Sequence, residues 1–232
     1  MQEIPYANLA LSFLPVAVVV AIVYRWSLGG GNSLYALGRM LVQLLAIGYV
    51  LTYIFQTDRP NVVLGVLTAM LLIASWIALG HVKGNRVANY GKALGAITVG
   101  GTTTLVLITQ GVLQLEPWFR PSFMIPLAGM IFAGAMNSVS LAAERLQAEL
   151  ERGGDYPDAR RIALRAALIP ITNSLFAVGL VSLPGMMTGQ ILSGVEPLIA
   201  ARYQIMVMCM LFGSAGISAA CFLIWMRPTA LE

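Results

Sequence analysis

Seven stretches of mostly apolar residues, each about as long as a bilayer is thick, constrain this chain more than any motif in it. They run from Pro5 to Tyr24, Leu34 to Phe55, Pro60 to Gly80, Leu94 to Leu113, Phe123 to Ala143, Ala166 to Leu183 and Tyr203 to Met226. A membrane-spanning helix needs about 20 such residues at roughly 1.5 Å rise each. With 58% hydrophobic and only 10% charged residues among 232, too little polar side chain is left to coat a soluble core of this size. The expected fold is therefore all-α: a polytopic membrane protein of about seven transmembrane helices, with residues 1–232 forming a single transmembrane domain.

The first stretch lacks a basic leader and a small-residue cleavage site, offering only Glu3 before it, so it is expected to stay in place. Lys and Arg in short loops set orientation. With the N-terminus outside, the inner loops and tail hold Arg25, Lys83, Arg86, Lys92, Arg145, Arg152, Arg160, Arg161, Arg165 and Arg227. The outer loops then hold only Arg59, Arg120 and Arg202. This asymmetry predicts an N-terminus outside and a C-terminus in the cytoplasm. It also accounts for the net charge of +4 as attraction to anionic lipid, leaving no argument for nucleic acid.

The link between the fifth and sixth stretches has a different character. Residues 140–152 read SLAAERLQAELER, strong helix formers with Arg145 and Glu149 one turn apart, so the fifth helix should outrun the membrane. Gly153 and Gly154 end it, and Asp155 with Pro157 and Asp158 behind it opens a new helix running through Arg165. Between Glu144 and Arg165 lie five Arg and five acidic residues, half of all the acids in the chain. Such an elbow, at about 144–165, is either two helices fraying into water or a coupling segment that docks on a soluble partner. In the second case Glu149, Arg152, Gly153, Gly154, Asp155, Arg160 and Arg161 supply the contact, their charges forming the polar rim.

No phosphate-binding loop accompanies it. The run Gly29 to Gly31 reads as a turn without the Lys that would reach a phosphate, and GAITVGG at 95–101 reads as close helix packing. Any ATP-driven work would need a separate ATPase chain, which would carry the ATP and Mg; this chain is expected to hold no cofactor and to be no enzyme, since no nucleophile and base are suitably spaced.

Polar residues inside apolar stretches need a reason, because a charge at the bilayer centre costs on the order of 3 kcal/mol. Arg39 and Gln43 lie one turn apart, as lining of a pathway or as an Arg snorkelling to the inner interface. Asn137 and Asn173 fit interhelical hydrogen bonding or substrate contact. Glu144, two turns beyond Asn137, is an inner-mouth cation ligand or the first solvated carboxylate of the extension. Pro184 and Gly185, in LPGMM, are expected to interrupt the sixth helix at its outer end, where broken helices often line substrate sites. There Met186 and Met187 offer soft thioethers, or packing, and Gln190 an oxygen. Arg202, Tyr203 and Gln204 start the last span at the interface. Cys209 and Cys221, about 18 Å apart along one helix, cannot bridge and read as packing. The sole His81 reads as a surface residue.

Four segments carry a family resemblance: IPLAGMIFAGAMNSVSLAAERL (125–146), RAALIP (165–170), LPGMMTGQILSG (183–194) and PLIAARYQIMVM (197–208). With GRMLVQLLAIGYVLTYIF (38–55), they resemble the iron-export ABC permease family of the FetB type, which includes plant aluminium-sensitivity membrane proteins. Family members often carry Gly-Asn where this chain has Ala133 and Gly134. The resemblance implies a multi-pass inner-membrane permease subunit, working as a homodimer with an ABC ATPase and exporting a metal ion or metal complex. An ATP-independent secondary transporter or channel is the alternative, and a non-transporting assembly or sensor subunit a third class.

Overall fold

The computed structural model describes residues 5–27, 30–80 and 86–227, and every regular element among them is helical. His81 and Gly29 lie outside the described residues. Chain contacts divide the molecule into residues 1–56 and 57–232.

In the first unit, α1 (Tyr6–Leu11) and α2 (Phe13–Arg25) are separated only by Ser12, whose hydroxyl donates to the Leu9 carbonyl at 2.7 Å. Helix α3 (Gly30–Ile54) packs beside α2. Gly30 and Gly31, expected in a turn, instead open this helix. Arg39 and Gln43 sit one turn apart on it, both exposed.

The second unit begins with α4 (Pro60–Ala78), whose Pro60 sits at the helix start, where its missing N–H has no role to lose. Next among the described helices is α5 (Arg86–Ile97). Arg86 ties the two together, donating to the Trp76 carbonyl at the end of α4 and laying its guanidinium 4.1 Å from the Trp76 ring centroid. The same long helix then widens into π geometry over Thr98–Thr102, returns to α in α6 (Thr103–Val106), and widens again over Leu107–Val112. Wide turns displace backbone partners. The hydroxyls of Thr98, Thr103, Thr104 and Thr109 each donate to the carbonyl four residues back, satisfying acceptors along the irregular stretch.

Glycine explains why this helix lies so close to its neighbours. A Cβ on Gly100 would sit 2.3 Å from Ser218 Oγ, one on Gly101 2.9 Å from the Phe132 ring, and one on Gly95 2.8 Å from Trp225. The packing role expected for GAITVGG is what these contacts describe.

Three helices form the body of the unit: α7 (Pro121–Glu151), α8 (Tyr156–Ala177) and α10 (Pro197–Trp225). The starts of α7 and α10 lie together around one cavity, while their ends meet in a buried cluster of Ala142, Leu146, Ala219 and Leu223. They therefore run parallel. Helix α8 joins the cluster through Ala159, Ala163 and Ala167 near its start and runs back the other way. With 31 residues, α7 is about 46 Å long and outruns a hydrocarbon core of about 30 Å.

Six helices among the described residues are long and apolar enough to cross a membrane, and the sixth of the seven expected stretches is the exception. Past Arg165, α8 has only residues 166–177, about 18 Å of rise, before it stops. Pro170 does not break it; the helix runs through. Nor does the interruption fall at Pro184 and Gly185. The helix ends at Ala177, Gly179 takes a positive φ of 82°, and Pro184 instead caps the start of α9 (Gly185–Leu192). The reason is that Pro tolerates the first positions of a helix, whereas Gly just past a helix end permits the left-handed turn. The return from the end of α7 to the start of α10 is thus a helix, a bend and a short helix.

Candidate functional site

Two cavities line one side of α7. The larger, about 620 Å³, lies between the starts of α7 and α10 and the short helix α9, with Ser122, Met186, Gln190, Tyr203 and Met206 among its walls. The smaller, about 280 Å³, lies deeper, between the middles of α7, α8 and α10, and presents Asn137, Ser138 and Ser174. Met130 borders both, so the two cavities adjoin at its side chain and together form a groove along α7. No charged residue lines either part. The Gln190 side-chain oxygen is buried without a hydrogen-bond partner, an acceptor left to be satisfied.

This groove gathers three of the expected pathway residues, Asn137, Met186 and Gln190. Asn173 is exposed and lines neither part. Met186 and Met187 separate: Met187 lines a different cavity, with Gln204, Met208 and Cys209. Gln204, expected at the start of the last span, lies two turns into α10 and is buried. Glu144 is exposed, on the stretch of α7 that carries the buried cluster. Among the described residues no group of three or more His, Cys, Asp or Glu is placed to hold a metal ion. Cys209 and Cys221 are both free.

At the opposite end stands the elbow. The N–H groups of Gly153 and Gly154 donate to the carbonyls of Leu150 and Glu149, and Gly153 has a φ of +85° that an L side chain would resist. Asp155 occupies the N-cap position of α8 without a side-chain cap bond. Glu149 accepts from Arg145 at 2.7 Å and Arg152 at 3.1 Å, and Asp158 accepts from Arg161 at 2.7 Å. Gly153, Gly154, Arg152, Asp155, Arg160 and Arg161 are all exposed.

What fixes the elbow is its inner side. Ala159, Ala163 and Ala167 give α8 a smooth face that seats closely on Ala142, Leu146, Ala219 and Leu223. The half-buried Tyr156 hydroxyl donates to the Leu223 carbonyl. Burial raises that hydroxyl's pKa above its ordinary 10.0, against the opposing pull of Arg160 and Arg227. Beside it, Pro157, Asp158, Arg160 and Arg161 border a cleft of about 500 Å³ against the end of α10.

Met130, Tyr203 and the Gln204 cavity were not among the expected pathway residues. The signal for the last was the spacing of Gln204 and Met208, one turn apart on one face of α10.

The chain is similar along nearly its whole length to known proteins. It is 37% identical to the protein named "Probable iron export permease protein FetB" of Escherichia coli, with 97% of this chain and 93% of that one covered. It is 39% identical to "UPF0014 membrane protein slr1647" of Synechocystis, over 77% of this chain and 74% of that one. With "Protein ALUMINUM SENSITIVE 3" of Arabidopsis thaliana it shares 29% identity over 90% of this chain and 83% of the relative. No solved structure matches it. Residues 6–156 and 155–230 match the family described as "Uncharacterised protein family (UPF0014)". Together with its six long apolar helices, this match establishes the chain as a multi-pass membrane protein belonging to the UPF0014 family.

Proposed function

We propose that the chain is the permease subunit of an ABC transporter that exports a metal ion or metal complex, driven by a separate ATPase subunit that binds ATP and Mg. The observation that carries this reading is the junction of the elbow with three helices at once. Residues 149–161 join α7 to α8, and α8 is seated on α10 by the alanine face and the Tyr156 bond. Those same three helices wall the groove at its deeper part. A push on the elbow is therefore delivered to the groove walls. The name carried by the Escherichia coli relative supports metal export.

In this reading the N-terminus is outside and the elbow and C-terminus are cytoplasmic, in the inner membrane. The bent return through α8 and α9 makes the seventh crossing, and two copies pair with two ATPase subunits. The cleft beside Arg160 and Arg161 receives the ATPase. The uncharged groove fits a metal crossing as a complex better than a bare multivalent ion, which would go unpaired there. It also lacks the carboxylates of a proton relay, which favours an ATPase over a coupled proton as the energy source.

Co-purification tests the reading. Deleting residues 149–161, or reversing charge with Arg160→Glu and Arg161→Glu together, should release the co-expressed ATPase while membrane insertion persists. An ATPase that stays bound to both variants, or robust transport by vesicles holding this chain alone, would overturn the assignment.

A further inference from the structure

The cavity that claims Met187 has a composition the transport reading does not use. It measures about 360 Å³ and lies where the bend after α8 meets α9 and one face of α10. Met187 enters from α9, and Gln204, Met208 and Cys209 from α10. Three sulfur-bearing side chains thus border one space. Gln204 is only 5% exposed, yet its side-chain oxygen has no hydrogen-bond partner. A buried acceptor in that state carries a desolvation cost, and Gln204 lies on the border of the cavity. Cys209 is exposed, so the cavity is open along that side.

We propose that this cavity is a binding site for a soft monovalent d10 cation of the Cu(I) or Ag(I) kind, held by the Met187 and Met208 thioethers and the Cys209 sulfur. Thioethers and thiolates select such ions over hard trivalent ones, which prefer oxygen. Charge argues the same way. Binding converts the Cys209 thiol to a thiolate, its proton leaving on a water that the hydrated ion brings in, and a monovalent cation with one thiolate is neutral overall. A divalent or trivalent ion would leave net charge in an apolar setting. The Gln204 oxygen is then a weak further donor or the acceptor for a water carried by the ion.

The site goes beyond the transport reading and does not depend on an ATPase, so binding to the purified chain can fail while export stands, and the reverse. Ag(I) serves as the redox-inert probe, added to the full chain in detergent with Cys221→Ser removing the other thiol. The expected result is one Ag(I) per chain with proton release. Cys209→Ser should abolish binding, and Met187→Leu or Met208→Leu should each weaken it by about tenfold or more. X-ray absorption at the bound silver should find three sulfur neighbours. Fe(III) and Al(III) should not compete.

Met to Leu nearly conserves volume, so these variants should fold. If Met208→Leu fails to fold, Met187→Leu and the sulfur count decide. Absence of binding, unchanged affinity in the Met variants, or a single sulfur neighbour would reduce Cys209 to an ordinary thiol and sink the proposal.

Discussion

The hydroxyl of Tyr156 donates to the backbone carbonyl of Leu223, so the first turn of α8 is bonded to the last turns of α10 across 67 positions of sequence. This bond ties the elbow directly to α10, and its loss isolates mechanical coupling from charge. Tyr156→Phe keeps the ring and its packing but leaves that carbonyl without the donor. It should lower stability by about 1 kcal/mol, read as a drop in thermal unfolding temperature in detergent. On the proposed function, stimulation of the ATPase subunit by cargo should fall by more than that loss of stability explains.

The same residue predicts a pH dependence. Its hydroxyl has a folded-state pKa raised above 10.0 by burial. The neutral form is therefore the one favoured by folding, and its contribution is complete below the unfolded value and lost as pH rises through the folded value. Unfolding measured from about pH 9 to about pH 12 should show the parent chain losing stability at the alkaline end, with the gap to Tyr156→Phe closing.

Gly100→Ala should be among the most damaging small substitutions. Its new Cβ would lie 2.3 Å from Ser218 Oγ, 2.7 Å from the Ser218 backbone nitrogen and 3.0 Å from the Ser214 carbonyl. Backbone atoms cannot rotate aside, so the helices must part, at a cost of about 1–3 kcal/mol or more. Ser218→Ala alone should be neutral or stabilising, since the Ser218 hydroxyl is buried without a partner. Combining the two should not rescue folding, because the backbone obstacles remain. Thermal unfolding of the three variants checks this.

Met130 borders both parts of the groove. If cargo crosses by this groove as proposed, Met130→Trp should crowd the junction and reduce export from loaded vesicles, assayed with the co-expressed ATPase, to near background. Met130→Leu, similar in volume, should transport almost normally. Helical content and co-purification of the ATPase should be unchanged in both.

The elbow was legible in the sequence because its signals are local: Gly at a position needing positive φ, then Asp and Pro opening a helix. The helix break was misread for an equally local reason. Pro184 and Gly185 looked like the stronger interruption, yet the pair starts α9, while Gly179, one residue beyond the cap at Val178, supplies the stop. The π-helical turns at Thr98–Thr102 and Leu107–Val112 left no periodic trace, since Thr and Gly are interspersed with the apolar residues and mark no single face. The groove and the sulfur-lined cavity are tertiary products. Met187 and Met208 become neighbours only because the bend after α8 swings α9 onto one face of α10.

Those wide turns have a consequence for how the helix from Arg86 to Val112 tolerates insertion and deletion. Each wide turn holds about one residue more than a regular turn, so everything downstream is offset by about 100° per added residue relative to a regular helix. Thr109, at 1% exposure, lies downstream of the first wide turn. Excising one residue between 98 and 102 would barely shorten the rod; it would turn its far half like a key, showing the neighbouring helices the wrong teeth.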